Sequence, residues 1–170
     1  MHTERHISLT LRDVDDSDLD AVLRLNESAV PAVSSIDLSQ MRWFAANAAY
    51  FRVVERDNGV AAFLIGMRPG TDYASPNYRW FCDSYEDFGY IDRIAVADTA
   101  RRQGLATMMY RDFENSLPIE VRDLTCEVNI EPPNESSMRF HEDFGFERVA
   151  SQTIDGGAKE VALLVKGLSA

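Results

Sequence analysis

The stretch Tyr90 to Phe113, YIDRIAVADTARRQGLATMMYRDF, reads as a strand, an arginine-rich loop and a helix in direct succession. Tyr90, Ile91, Ile94, Ala95 and Val96 make the strand mostly apolar on both faces, as expected of one buried within a sheet. Ala106, Met109, Tyr110, Phe113 and Leu117 recur at helical spacing and mark a helix that buries one side. The stretch divides as strand YIDRIAVADTA (90–100), loop RRQGLA (101–106) and helix TMMYRDF (107–113). The first N–H groups of a helix, here those of Leu105, Ala106 and Thr107, lack an internal acceptor and sit at the positive end of the helix dipole. A phosphate placed there completes their hydrogen bonding. Gly104 lets such a ligand approach the main chain closely, and two guanidinium groups add forked, charge-assisted contacts. The stretch therefore reads as a holder for an anionic phosphate group, although an ordinary charged strand-to-helix connection has the same composition.

The flanking segments supply the rest of the architecture. His6 to Val14 reads as a first strand, with Ile7, Leu9 and Leu11 alternating against polar neighbours. Asp16 or Ser17 is the expected cap of a helix with Leu19, Val22, Leu23 and Asn26 on one face, stopping near Pro31. Asp37 and Gln40 have the spacing of a capping box, opening a second helix through Met41, Trp43, Phe44 and Ala48. Tyr50 to Glu55 and Val60 to Arg68 form a hairpin about Arg56-Asp57-Asn58-Gly59, in which Asn-Gly is expected to supply the positive backbone angles. Pro69 to Phe88 reads as a polar, aromatic loop. Leu124 to Ile130 gives another strand, and a strand–helix–strand unit of this length implies a right-handed crossover and a parallel pair. Asn134 starts a last helix and Gly145 ends it. Phe146 to Thr153 and Lys159 to Val165 then form a hairpin about Asp155-Gly156-Gly157. The expectation is a single domain over residues 1–170, with a mixed α/β sheet flanked by helices.

A chain of 170 residues that is 45% hydrophobic can bury a substantial core. No apolar run is long enough to span a bilayer, and the first ten residues, MHTERHISLT, carry charge where a signal peptide is apolar, so a cytoplasmic location is expected. The net charge of -11 argues against nucleic acid as a partner; it suits a cationic amine, and it also suits solubility alone. Cys82 and Cys126 lack metal-ligand spacing, no metal site is expected, and Cys126 falls within an apparent strand, which favours reduced thiols without a catalytic role. Neither a Walker loop nor G-x-G-x-x-G after a strand is present, which disfavours a nucleotide-dependent enzyme.

Arg101-Arg102-Gln103-Gly104-Leu105-Ala106 matches the pattern Gln or Arg, any two residues, Gly, any residue, Gly or Ala. About thirty residues on, NESSMRFHEDFGF (134–146) places an Asn at the start of a short helix that ends in Gly-Phe. In these two motifs, in this order, the chain resembles the GCN5-related N-acetyltransferases (GNAT). The resemblance covers Tyr90 to Val165 well and the N-terminal half only in its order of elements. The runs CEVNIEPPNESSMRFHEDFGF and GGAKEVALLVKGL resemble a bacterial branch of that family. What the resemblance implies is an acyl-CoA N-acyltransferase fold in which two parallel strands splay to admit the pantetheine arm. It also implies acetyl-CoA as co-substrate and transfer of its acetyl group to an amine by direct attack. Homodimers are common in the family. A non-catalytic acyl-CoA binding or sensing module is the alternative.

Three chemical needs organise the candidate residues. An amine with a pKa of about 10.4 must lose a proton before it attacks. Asp92, a carboxylate inside a buried strand, either lines the cleft as the proton acceptor or pairs with an arginine across the sheet. Charge on the thioester oxygen needs preorganised donors. The family resemblance gives that role to the main-chain N–H groups of Ile94, Ala95 and Val96. The departing thiolate needs a proton or a stabilising charge. Most relatives place a tyrosine four residues before the motif glycine, where this chain has His141. His141 shares a helical face with Ser137, Phe140 and Phe144, so it is either the acid, a cofactor contact, or a packed ring bonded to a backbone carbonyl. Asn134 is both a favoured helix cap and, by resemblance, a pantetheine contact, with Ser137 and Phe140 beside it. Acceptor specificity is expected in the loops, at Asn26 and Glu27 and at Tyr78 and Trp80. The aromatic residues there suit either an ammonium or an interface.

Overall fold

The computed structural model of the protein describes residues 7–169. Their order is β1 (Leu9–Asp13), α1 (Leu19–Ser28), α2 (Leu38–Asn47), β2 (Tyr50–Arg56), β3 (Gly59–Met67), α3 (Pro76–Ser84), β4 (Gly89–Val96), α4 (Leu105–Ser116), β5 (Asp123–Glu131), α5 (Glu135–Phe144), β6 (Glu147–Ile154) and β7 (Lys159–Gly167). The strands make one mixed sheet in the order β1-β2-β3-β4-β5-β7-β6, with helices flanking it. β4 and β5 run parallel, in register at Gly89↔Leu124 and Tyr90↔Thr125; β1–β2, β5–β7 and β6–β7 are antiparallel. The chain gathers into two compact units. One comprises residues up to Ile65 with Arg93–Met109, the other Gly66–Asp92 with residues from Tyr110 on.

In the first unit, β1 pairs with β2 from Leu9↔Arg56 to Asp13↔Arg52. His6, the expected start of this strand, lies outside the described residues, while Ile7 and Leu9 are exposed at the sheet edge. The cap that follows is Asp15, upstream of the expected Asp16 or Ser17. Its carboxylate accepts from the Ser17 N–H at 2.9 Å while Asp18 accepts from the Asp15 N–H at 2.7 Å. A 3-10 turn at Asp16–Asp18 intervenes before α1, which is why the cap falls earlier than helical periodicity indicates. Arg12 donates to both oxygens of Asp18, at 2.7 and 2.9 Å, and to Glu55 at 2.8 Å, and this fork holds the Asp18 carboxyl below its usual range.

The buried face of α1 is Leu19, Val22, Leu25 and Asn26; Leu25 takes the place expected of Leu23. α2 opens with the Asp37–Gln40 capping box and buries Met41 and Phe44. The β2–β3 turn differs from expectation. Its two central residues are Asp57 and Asn58, with φ of 50° and 65°, and Gly59 already belongs to β3. A two-residue hairpin turn of this hand needs positive φ at both positions, and Asp and Asn are the non-glycine residues that tolerate it best.

In the second unit, the segment expected to be a loop carries α3. Ser75 accepts from the Tyr78 N–H, Pro76 occupies the first turn, and Tyr78 and Phe81, three residues apart, are buried. Their rings pack against Phe88 and Tyr90, with centroids 5.6–6.3 Å apart. Two apolar positions in nine residues give too short a periodic signal to read from sequence. Glycine fixes how closely α4 approaches the strands, because a Cβ at Gly66 would lie 2.5 Å from the ring of Phe113. α5 is capped by Asn134 and stopped by Gly145, whose φ of 111° lets its N–H return to the carbonyls of His141 and Glu142. β7 lies between β5 and β6, so the closing hairpin leaves β6 at the edge. Among the described residues, no helix is long and apolar enough to cross a membrane. Cys126 is buried and Cys82 exposed, both as free thiols.

Candidate functional site

The first unit holds the turn where β4 runs out at Val96 and α4 begins at Leu105. Ala95 is buried, and Ile94 and Val96 are half-buried. The Ala97 N–H donates to the Ala61 carbonyl at 2.8 Å, and a 3-10 turn over Asp98–Ala100 buries Ala100. Arg101, Arg102, Gln103 and Gly104 then form an exposed connection, while Leu105 is buried and Ala106 and Thr107 are half-buried. Arg102 and Gly104 both have left-handed backbones, with φ of 62° and 75°. Left-handed residues in such a turn help to shape a concavity of main-chain N–H groups that suits an anion.

A Cβ built at Gly104 meets nothing within 4 Å, so glycine here leaves open space at the helix start rather than relieving an internal clash. The first α4 hydrogen bond, Met108 N–H to Gly104 carbonyl, is 3.0 Å. Arg101 pairs with Asp98 at 3.0 Å with both side chains largely exposed, a contact that solvent screens and that a phosphate can exchange for. These residues fit the diphosphate of coenzyme A. Sequence reasoning missed Arg56, whose guanidinium donates to the Thr99 carbonyl at 3.1 Å and to Gln103 at 3.3 Å. Nothing in a turn-preceding arginine signals that reach.

Asn26 and Glu27, expected at the acceptor site, both bond to the loop between α1 and α2. Asn26 is fully buried. It accepts from Arg93 at 3.0 Å and donates to the Ser34 carbonyl at 3.2 Å. Arg93, 6% exposed, also donates to the Ser34 carbonyl and hydroxyl and lies 5.3 Å from the centre of the Phe44 ring. Glu27 accepts from the Ser35 hydroxyl at 2.7 Å and the Ile36 N–H at 3.0 Å, and these donors lower its pKa. A buried asparagine at helical spacing with apolar residues is legible as internal; its partner Arg93 is not.

In the second unit, Asp92 is half-buried and accepts a hydrogen bond from the Tyr73 hydroxyl. Close by, the Tyr90 hydroxyl donates to Glu127 on β5 at 2.7 Å. Complete burial, then the charges of Glu127 and Asp92, hold the Tyr90 phenol well above its usual pKa, so it remains a donor. Tyr90 and Asp92 are two apart on β4, and Thr125 and Glu127 two apart on β5, so the Tyr90↔Thr125 register puts both carboxylates on one face of the sheet.

Tyr78 lies in the packed interior of the second unit. It is 1% exposed, its hydroxyl donates to the Arg68 carbonyl at 2.8 Å, and it accepts from Thr71. Trp80 is half-buried, edge-on to Phe81 at 5.1 Å.

On α5, Asn134 accepts from the Ser137 N–H at 3.3 Å, which establishes its capping role. His141 is 5% exposed, and both ring nitrogens are engaged. Nδ1 lies 2.7 Å from the Ser137 carbonyl, which can only accept, so the neutral ring carries its proton there. Nε2 then accepts from the Tyr110 hydroxyl at 2.8 Å. Phe140, Phe146 and Tyr110 surround the ring at 5.2–5.4 Å between centroids. Burial lowers the pKa of His141. This geometry suits a packed ring, with the Nδ1 proton held by the Ser137 carbonyl and Nε2 filled by the Tyr110 hydroxyl.

Comparison with known proteins agrees with this geometry. The family model described as acetyltransferase (GNAT) family matches residues 19–146. No curated protein matches the sequence. Among solved structures, the ribosomal-protein-S18-alanine N-acetyltransferase from Escherichia coli is similar at 16% identity over 96% of each chain, with a TM-score of 0.69. Ard1 from Thermoplasma volcanium is similar at 15% identity over 95% of this chain and 99% of that one, with a TM-score of 0.74. NAA60 from Arabidopsis thaliana, in complex with a bisubstrate analogue, is similar at 16% identity over 94% and 98%, with a TM-score of 0.73. At such identities the structures speak for the fold, whereas the family model spans most of the sequence and both loop and α5 motifs. The chain belongs to the acetyltransferase (GNAT) family.

Proposed function

We propose that the protein is an acetyl-CoA-dependent N-acetyltransferase that acts on a primary amine of a small molecule, amino acid or peptide by direct attack. The observation that carries the proposal is the open, left-handed turn at Arg102 and Gly104 before α4, which fits the diphosphate of coenzyme A. In this reading Arg101 and Arg102 neutralise the diphosphate, and the N–H groups of Gly104 through Thr107 bind it. Gln103 shapes the turn. The main chain of Ile94, Ala95 and Val96 supplies donors to the thioester, while Asn134, Ser137 and Phe140 contact the pantetheine arm.

Acetyl-CoA supplies an activated acyl group. One ammonium proton leaves first, through water to Asp92, which Tyr73 holds by a hydrogen bond; the neutral nitrogen then forms the new C–N bond as the C–S bond breaks, and the second proton shed by nitrogen passes to the departing thiolate. The thiol released has an ordinary pKa of about 8.5, so it departs without a strong acid. His141 then acts through packing alone.

The packed His141, standing where relatives carry a tyrosine, favours a second reading, an acyl-CoA binding module without turnover. Titration calorimetry with coenzyme A, followed by thiol release from acetyl-CoA across a panel of primary amines, separates the two. Binding with amine-dependent release is the expected result. Binding without release under any amine selects the second reading, and absence of binding removes both.

A further inference from the structure

The β2–β3 hairpin contributes a side chain to the loop that precedes α4. Arg56, the last residue of β2, extends one guanidinium nitrogen to the Thr99 carbonyl at 3.1 Å and the Gln103 side-chain oxygen at 3.3 Å. Its side chain is 21% exposed, and the carboxylate of Asp57, next in the chain, stands 3.9 Å from Nε. Thr99 and Gln103 lie on either side of Arg101 and Arg102, so a single donor group ties both ends of the arginine pair to the hairpin.

This tie meets a specific need. Arg102 has a φ of 62°, a conformation that costs a residue with a side chain about 1–2 kcal/mol. Such a backbone persists where its surroundings fix it. The loop residues 101–104 are exposed and bury little apolar surface of their own, so their shape depends on polar ties. The ties to Arg56, together with the Ala97 N–H to Ala61 carbonyl bond, attach the loop to β2 and β3. Arginine suits the task because its donors are fixed in a planar fork and it cannot lose its charge.

We propose that Arg56 is a positioning residue for cofactor binding: it holds the turn over Thr99–Gly104 in its anion-binding shape before the ligand arrives. The inference rests on the assignment of that turn to the diphosphate of coenzyme A. Arg56 acts from behind the loop, through Thr99 and Gln103, rather than by touching the ligand. A preformed loop lowers the ordering cost of binding, and its loss appears as weaker affinity.

The test uses Arg56→Met, which keeps much of the apolar stem, and Arg56→Lys, which restores charge and a single-point donor. Coenzyme A affinity is measured by calorimetry, and backbone amide hydrogen exchange is followed in the free protein. Arg56→Met is expected to weaken coenzyme A about tenfold and to accelerate exchange severalfold over residues 99–107 with the remainder unchanged. Arg56→Lys is expected to recover part of both. Wild-type affinity in Arg56→Met overturns the inference, as does unchanged exchange in the loop or a uniform acceleration across the chain. If the wild-type protein itself binds no coenzyme A, the diphosphate assignment falls, and the exchange data still decide whether Arg56 holds the turn.

Discussion

Removing the hydroxyl of Tyr110 leaves a buried imidazole nitrogen without a donor. The Ser137 carbonyl fixes the His141 proton on Nδ1, so Nε2 presents a lone pair that Tyr110 satisfies at 2.8 Å. In Tyr110→Phe that lone pair faces aromatic rings. An unsatisfied buried acceptor costs about 1–3 kcal/mol. For a chain of this length each kcal/mol lowers the melting temperature by about 2–4 °C, so a central value of about 2 kcal/mol predicts a fall of about 4–8 °C. The double variant Tyr110→Phe/His141→Leu removes both polar partners and should recover most of that loss. The assay is urea unfolding of the wild type, both single variants and the double variant, followed by circular dichroism, with thermal melts alongside.

The same set tests the titration of His141. Burial lowers its pKa in the folded protein, so the unfolded chain takes up the proton first, at about pH 6.5. Its contribution to stability is complete above that pH. Acidification removes it by up to about 1.4 kcal/mol per pH unit, until the folded ring is protonated as well. Wild type and Tyr110→Phe should both show this slope, and the double variant should lack its share. A Tyr110→Phe cost under about 0.5 kcal/mol, or a double variant as damaged as the sum of its singles, would refute the bonding arrangement.

Gly104→Glu should reduce coenzyme A affinity by more than about 100-fold, because it places a charged side chain in the space open at the helix start and strains a φ of 75°; calorimetry showing unchanged affinity would remove the diphosphate from this loop. Gly66→Ala sets a methyl group 2.5–2.8 Å from three atoms of the buried Phe113 ring and should cost about 1–3 kcal/mol by denaturant titration. Adding Phe113→Leu should relieve part of that cost, and a neutral single variant would contradict the contact. Asp92→Asn should keep coenzyme A affinity while lowering acetyl transfer at neutral pH by about 100-fold or more, measured with an amine the wild type accepts; wild-type turnover would dismiss Asp92 as the proton acceptor.

The parts of this molecule that are legible in its sequence are those whose signals are local. The strand before the loop, the helix that follows it and the Asp37–Gln40 box follow from periodicity and capping chemistry, and the structure has them in place, with α4 beginning two residues earlier than the run Thr107–Phe113. Gly145 likewise ends α5 with the left-handed backbone that glycine favours. What escaped are features decided by distant partners. α3 exists because two aromatic residues find Phe88 and Tyr90, which nothing within nine residues announces. Asn26 and Tyr78 read as acceptor-specificity residues from their place in or beside loops, and each has a buried partner distant in sequence that local pattern does not announce. The bonding of His141 was hidden for the same reason. Its position on the helix face was predictable, but the Tyr110 hydroxyl that fills its second nitrogen comes from a helix thirty-one residues away.

The anchoring of the α1–α2 loop by Arg93 bears on how this scaffold can be re-engineered. That loop is an obvious segment to exchange for one from a relative when a new acceptor is wanted. Its socket, however, is an arginine in the middle of the sheet, 59 residues from the nearest loop atom it grips. A transplanted loop that lacks the Ser34 hydroxyl, or that is joined to a helix lacking the Asn26 amide, would take hydrogen bonds away from a buried cation. Successful grafts will therefore have to carry those two positions with them, or redesign the strand beneath.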